Sequence, residues 1–188
     1  MIDVAPFAWP IEHVDTPRRP AVPDAEFARM RAPELARIAA ARAVDTGSGG
    51  WRQGFFWPAP GRLSGRFGAQ RFYRGGEAGA YHSGLDLAGG AGAPVTAPAD
   101  GVVVLATPVP FTLEGRLVII DHGMGLNSAF LHLSAIDVRE GEAVRRGQRI
   151  GAIGASGRVT GPHLHWAVKW RGARVDPATL IDPAAPPR

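Results

Sequence analysis

Short apolar segments, separated by glycine and proline, run through the chain from Trp51 onward. Segments of about four to eight residues bounded in this way are typical of β-strands. No helical pattern of useful length separates them, which disfavours a parallel sheet built from strand–helix–strand units and predicts antiparallel sheets. The predicted strands are Gly101–Leu105, Arg116–Asp121, Ser128–Leu133, Arg149–Ile153 and His163–Trp170.

A different pattern occupies the first 46 residues, which contain six of the prolines and none of the glycines. Because proline fixes φ and removes an amide donor, the stretch up to Pro23 is expected to form an extended arm. Packing of Phe7, Trp9 and Ile11 onto the main domain could still order this arm.

A short broken helix is predicted to follow the arm. Asp24 is a suitable N-cap residue, and Pro33 is suited to the first turn of a second helix. The narrow apolar stripe of that second helix ends at about Val44.

The length of 188 residues predicts one compact domain with an appendage. We expect the arm and broken helix over residues 1–50, the main domain over 51–182 and a tail over 183–188. No window approaches the roughly 18 consecutive apolar residues of a membrane span. Met1–Pro6 lacks the basic start and apolar run of a signal peptide, so we expect either a chain that stays inside the cell or an export signal outside this sequence.

The amino-acid composition excludes several kinds of binding surface and functional site. The net charge is +4, but the basic residues are scattered, with adjacent pairs only at Arg18–Arg19 and Arg145–Arg146. A nucleic-acid-binding surface is therefore not predicted. The sequence contains no cysteine, which excludes disulfide scaffolds, cysteine nucleophiles and cysteine-ligated zinc. A metal site would use histidine and carboxylate ligands.

The last predicted strand carries two histidines on one face. Alternation places His163 and His165 on the face opposite Leu164 and Trp166, which are expected to be buried. Residues two apart on a strand lie about 6.5–7 Å apart, so one imidazole could bind a metal while the other lies beside a metal-bound water. Spacing alone leaves open that both are incidental surface residues.

A second pair of metal donors occurs in the segment His82–Asp86, in a glycine-rich loop that leads to a strand. A neutral imidazole and a carboxylate are both good zinc donors, although this spacing alone is weak evidence. Together with His165 they would complete a set of three ligands with an open fourth position, as a catalytic zinc requires.

Three further histidines have different environments. Alternation places His132 with Phe130 on the face opposite two leucines, so His132 could face the same cleft. His122 follows an apolar strand and precedes a glycine-rich turn, where a structural histidine that bonds the turn backbone is the preferred interpretation. His13 lies in the proline-rich arm and is expected to be exposed.

Read together, these motifs resemble the lysostaphin/LytM-type zinc metallopeptidases, which are endopeptidases that cleave peptide bonds in bacterial cell-wall peptidoglycan. The motifs follow the family's order along the chain. The matching segments are Trp57–Gly68, His82–Leu87, Gly92–Val102, Ile120–Gly123, His132–Ser134, Val144–Gly151 and Gly161–Trp166.

The resemblance implies a mostly antiparallel β domain of barrel-sandwich type with one Zn²⁺ in its cleft. It implies that His82, Asp86 and His165 bind the metal and that His132 and His163 are catalytic. Which of the two catalytic histidines is the base and which stabilises the oxyanion stays open at this point. The implied substrate is a peptidoglycan stem peptide or cross-bridge, which places the protein in the periplasm or outside the cell.

Other features of the resemblance concern the edges of the site. Many relatives have tyrosine where this chain has Phe130, so the role of that hydroxyl would be absent or supplied elsewhere. The segments 66–81 and 108–115 are expected to flank the cleft and set the bond preference. No oligomeric state is predicted.

Three alternatives compete with the peptidase. A noncatalytic module that binds peptidoglycan or activates an amidase is the first, although all five matching positions are filled here. A biotinyl or lipoyl carrier domain is the second, and it fails because the single lysine, Lys169, is not at a hairpin tip. The third is a latent enzyme in which the arm folds over the cleft and His13 supplies a fourth ligand.

Overall fold

A computed structural model describes residues 9–15 and 23–182 of the chain. Within those ranges the chain forms one α-helix and thirteen β-strands, with short 3₁₀ turns at Gly50–Arg52 and Pro177–Leu180. Their bounds are β1 (Ile11–His13), α1 (Asp24–Arg42), β2 (Arg62–Gly65), β3 (Gln70–Phe72), β4 (Ala78–Tyr81), β5 (Leu85–Ala88), β6 (Pro94–Thr96), β7 (Gly101–Ala106), β8 (Arg116–Asp121), β9 (Leu126–Ile136), β10 (Ala143–Val144), β11 (Arg149–Ile153), β12 (Leu164–Trp170) and β13 (Ala173–Val175).

Ten of these strands form one large sheet. Seven follow the order β10-β7-β8-β9-β12-β5-β2, while β11 joins β6 to β9 and β13 pairs with β12. Every strand pair in this sheet is antiparallel, so the predicted mostly β, antiparallel fold is confirmed. The sheet is not closed into a barrel.

Strand β8, which lies between β7 and β9, separates two apolar clusters. Val118 and Ile120 belong to the main core, whereas Leu117 and Ile119 belong to a second cluster on the other face of the sheet. Burial on both faces explains why the strand is apolar at successive positions instead of alternating. Helix α1 covers the second cluster through residues such as Ala41.

The helix differs from the prediction of a short broken helix. It runs without a break through Pro33, and Asp24 is its first residue, preceded by Pro23 with no side-chain cap. Proline inside a helix costs about 3 kcal/mol, so contacts with the main domain must offset it. Arg31 bonds both oxygens of Glu114, and Glu34 accepts hydrogen bonds from the backbone and side chain of Thr112. These bonds fix the helix on both sides of the proline.

Part of the N-terminal arm is ordered by backbone pairing. Strand β1 lies parallel to β3, in a three-stranded sheet with β4. Trp9 packs edge-on against Phe67 with ring centroids 6.3 Å apart, whereas Ile11 is exposed. Phe7 and the tail 183–188 lie outside the described residues, and the division at residue 50 stays a prediction. Among the described residues, no helix has the length and apolar character that crossing a membrane requires.

His122 joins two segments of the main core. Its Nδ1 donates to the backbone oxygen of Asp100 at 2.7 Å, and its Nε2 accepts from the hydroxyl of Ser128 at 2.9 Å. The expectation of a structural histidine is met, although its backbone partner lies in another loop. Complete burial disfavours the charged imidazolium and lowers the pKa of His122 to about 4.

The free energy of unfolding should therefore fall as the pH drops from about 6.5 to about 4. In this window His122 binds a proton in the unfolded chain but not in the folded chain. This difference lowers the free energy of unfolding by up to about 3 kcal/mol. Urea titrations across this range should show a smaller pH dependence in His122→Gln than in wild type. The exposed His13→Gln should keep the wild-type dependence, and equal slopes in all three proteins would contradict the assignment.

Candidate metal centre

Two adjacent strands bring the candidate ligands together. Asp86 on β5 and His165 on β12 are directly opposite in the antiparallel register. His82 lies in the loop that enters β5, four residues before Asp86. All three side chains are buried, at 5–7% exposure. The regular pairing of β5 with β12 therefore sets the separation of two of the three donors.

One donor atom from each residue lies close to the other two. His82 Nε2 is 3.1 Å from Asp86 Oδ1 and 3.0 Å from His165 Nδ1, and the last two atoms are 2.8 Å apart. Donors around a tetrahedral zinc with bonds of about 2.0–2.1 Å are separated by roughly 3.3 Å. Only these three residues form such a group within the described part of the chain. The donor types and their spacing fit a single divalent cation.

Backbone contacts fix the orientation of the first ligand. The Nδ1 of His82 donates to the carbonyl oxygen of Arg66 at 2.9 Å, which leaves the lone pair of Nε2 directed at Asp86 and His165. This is the orientation that a second hydrogen bond imposes on metal-binding histidines. This orientation leaves Nε2 of His82 as the ring nitrogen that can bind a cation.

The carboxylate of Asp86 stays ionised although it is buried. Burial alone raises the pKa of Asp86, but the hydrogen bond from His165 and the contact with the imidazole of His82 outweigh it and hold this pKa far below its ordinary value. Arg71 adds an ion pair to the second oxygen of Asp86, and Glu12 of β1 accepts from Arg71 Nε at 3.1 Å. The arm therefore contacts the centre through Arg71.

Sequence reasoning missed Arg71. Fifteen residues and the β3–β4 hairpin separate it from Asp86, and nothing in the local pattern indicates that the two pair. An outer partner of this kind typically changes metal affinity about 10–100-fold. We therefore assign Arg71 a positioning role for the carboxylate.

Arg71→Leu should weaken zinc binding by about 10–100-fold, because Asp86 loses the partner that orients it. Arg71→Lys keeps the positive charge, so its loss of zinc affinity should be smaller. Competition with a chromophoric chelator measures the affinity. The matched control is Arg74→Leu, which removes an exposed guanidinium that also pairs with the arm, at Asp15. Wild-type affinity in Arg71→Leu would contradict the role of Arg71.

A β-bulge places His132 beside the centre. Leu131 and His132 together oppose Leu117 of β8, and His132 has a φ of 66°, which is the left-handed region. Phe130 and Leu133 therefore share the core face, and the predicted alternation across 130–133 is wrong. The bulge adds one residue to the strand and thereby turns the imidazole of His132 toward the cleft.

Both remaining histidines present Nε2 to the cleft. The Nδ1 of His132 donates to the carbonyl oxygen of Ser156, and that of His163 donates to Gly161, each at 2.9 Å. His163 Nε2 is 3.8 Å from Asp86 Oδ1, and the rings of His132 and His163 are 5.0 Å apart. Burial and the neighbouring His165 and His163 lower the pKa of His132 to about 3, so it is neutral at pH 7.

The structure thus brings all five predicted site residues to one place. Asp86, His132 and His163 line a shared cavity of about 80 Å³. Tyr73 lines it as well and bonds Arg158 through its hydroxyl, whereas Phe130 points into the core. A hydroxyl on Phe130 would therefore face the apolar core, while the phenol of Tyr73 lies in the cleft.

The edges of the cleft come from both expected segments and from a third that was not expected. Residues of 66–81 and of 108–115 line a cavity of about 370 Å³ beside His82, and Phe27 of α1 completes one wall. His13 packs on Phe72 with ring centroids 5.7 Å apart and is not one of the converging donors.

Comparison with known proteins identifies the family. The model of peptidase family M23 matches residues 80–177, which is more than half of the chain. The chain therefore belongs to peptidase family M23, and this confirms the resemblance drawn from its motifs.

Named relatives and solved structures agree with this assignment. Peptidoglycan DD-endopeptidase ShyA of Vibrio cholerae is 44% identical over 115 residues, which cover 61% of this chain and 26% of the relative. A Pseudomonas aeruginosa protein assigned to peptidase M23 superimposes with a TM-score of 0.71 at 40% identity, covering 82% of this chain and 61% of the other. A zinc-containing peptidase from Vibrio cholerae superimposes with a TM-score of 0.61 at 32% identity, covering 71% of this chain and 41% of the other. The chain spans about a quarter of the length of ShyA.

Proposed function

We propose that this chain is a zinc-dependent endopeptidase that hydrolyses peptide bonds in peptidoglycan stem peptides or cross-bridges. The observation that carries the proposal is the convergence of three buried donors beside two imidazoles that both present Nε2. The DD-endopeptidase named among its relatives supports the substrate class. Because peptidoglycan lies outside the cytoplasm, we also propose a periplasmic or extracellular location.

The proposed ligands are His82, Asp86 and His165. When bound, Zn²⁺ held by two histidines and one carboxylate supplies a Lewis acid with an open position that acidifies a water molecule. The hydrogen bond from His82 to a carbonyl and the ion pair from Arg71 to Asp86 orient two of the three ligands. Such orientation favours one coordination geometry and lowers the cost of forming it.

The two imidazoles have separate positions relative to the donors. His163 Nε2 lies 3.8 Å from Asp86 Oδ1, directly beside the donor group, so His163 is proposed to accept the proton of the attacking water. His132 faces the same space from the bulge of β9 and is proposed to contact the carbonyl that is attacked. A positioned acid–base group contributes about 10²–10⁴-fold to the rate.

The noncatalytic alternative is less favoured. A module that only bound peptidoglycan would not need two imidazoles that backbone carbonyls orient toward an ionised aspartate. The lining of the 80 Å³ cavity by Asp86, His132 and His163 is instead the arrangement that water attack requires.

Digestion of purified peptidoglycan tests the function. The zinc-loaded chain should release peptides with new termini, which mass spectrometry identifies together with the bond that is cut. Metal removal by a chelator should stop the release, and added zinc should restore it. Undiminished cleavage after metal removal would contradict zinc dependence, and binding of peptidoglycan without new termini would favour the noncatalytic module.

A further inference from the structure

A basic recess lies beside the metal centre, between the end of α1 and strands β12 and β13. We use this name for the cavity of about 230 Å³ that contains Arg42, Lys169 and Arg174. It also reaches His165, so it is continuous with the proposed site. Its other walls are mainly apolar and include Leu35, Ile38, Leu117, Ala129 and Leu131.

The three cations of the basic recess are held close to one another. Lys169 and Arg174 are directly opposite in the antiparallel register of β12 and β13, where like charges destabilise a strand pair. Burial lowers the pKa of Lys169, and so do the charges of Arg42 and Arg174. Burial and Arg174 likewise lower the pKa of Arg42. The fold therefore keeps three positively charged side chains near one another although their charges repel.

No acidic side chain in the described part of the chain forms an ion pair with these cations, although the charge of Glu114 partly offsets that of Arg42. Glu114 is the one acid that lines the recess, and both of its oxygens are bonded to Arg31. The Nε of Arg42 is buried and lacks a hydrogen-bond partner. A buried donor without a partner costs about 1–3 kcal/mol, and more when it is charged, so an anion from outside would relieve the arrangement.

We propose that the basic recess binds a free carboxylate of the peptide substrate at a distance from the cleaved bond. This inference rests on the proposed function. Lys169 lies four residues from His165 on the same face of β12, or about 13 Å, which about four residues of extended peptide span. The apolar walls fit a small apolar side chain next to the carboxylate. The substrate would therefore carry a free acid group there, not a carboxamide.

Paired substrates and charge-neutral variants test this proposal. A cross-linked stem-peptide dimer is prepared with free carboxyl groups and in a fully amidated form. Wild type should prefer the acid by about tenfold in kcat/KM, mainly through KM, as expected for a charge-assisted hydrogen bond. Lys169→Gln and Arg174→Gln should bring this acid-over-amide ratio close to one. The control Arg139→Gln removes an exposed arginine outside the recess and should keep the wild-type ratio.

Binding of the two peptides to the same zinc-loaded proteins, measured by isothermal titration calorimetry, separates the two hypotheses. If wild type cleaves the acid and amide substrates with equal efficiency, the proposal that the basic recess binds a carboxylate is overturned, and the proposed function is left intact. A ratio unchanged in Lys169→Gln and Arg174→Gln would overturn it as well. Tighter binding of the acid, dependent on Lys169 and Arg174 but without hydrolysis, would support the recess while the proposed function fails.

Discussion

Replacing Asp86 with alanine should abolish both zinc binding and peptidoglycan hydrolysis. Asp86 supplies the carboxylate of the donor group, and its second oxygen holds Arg71, so the substitution removes a ligand and leaves a largely buried arginine without its main partner. We expect the zinc content to fall from one ion per chain to near zero. Hydrolysis should fall by about 10³-fold or more.

Two further variants make this result interpretable. Asp86→Asn keeps the shape of the side chain and an acceptor for Arg71, so it should fold while still losing zinc. Asp137→Ala removes an exposed carboxylate that pairs with Arg149 and should change neither zinc content nor activity. Retention of stoichiometric zinc by both Asp86 variants would show that the ion is held elsewhere.

Replacing His163 with alanine should separate metal binding from turnover. His163 presents Nε2 beside the donor group but is not one of the three donors, so zinc content should stay at the wild-type level. Loss of the proton acceptor should lower kcat by about 10²–10⁴-fold. Zinc analysis and the release of new peptide termini, measured on the same preparation, check both parts.

The arm offers a matched control for this result. His13→Ala removes an imidazole that packs on Phe72 outside the donor group, and it should leave zinc affinity and activity unchanged. Lower zinc affinity in His13→Ala would instead favour a latent enzyme in which the arm supplies a ligand. Full activity in His163→Ala would exclude His163 as the proton acceptor.

The sequence predicted the parts of the site that lie on regular strands. On β12, strict alternation places His165 and Lys169 opposite the fully buried Leu164 and Trp166, as expected. The same reasoning placed His132 at the cleft but is wrong in grouping it with Phe130, because one residue with a positive φ shifts the register of β9 by one position. A bulge of this kind depends on the partner strand, which local periodicity does not report.

Contacts between distant segments account for the other differences. The pattern around Pro33 indicated a break, but Arg31 and Glu34 bond residues of the 108–115 segment and keep α1 continuous. Arg71 reaches Asp86, and Arg42 joins the basic recess, only after the sheet has formed. These contacts outweigh the intrinsic preferences of single segments. Because they join residues that are far apart in the chain, the local sequence could not predict them.

The most direct test of the account is to locate the metal by anomalous diffraction at the zinc edge in crystals of the zinc-loaded chain. The account predicts one zinc ion bound by His82 Nε2, Asp86 Oδ1 and His165 Nδ1 at about 2.0–2.2 Å, with the Nε2 atoms of His132 and His163 facing its open side. An ion bound by other residues, or crystals soaked in zinc whose three donors bind none, would contradict it.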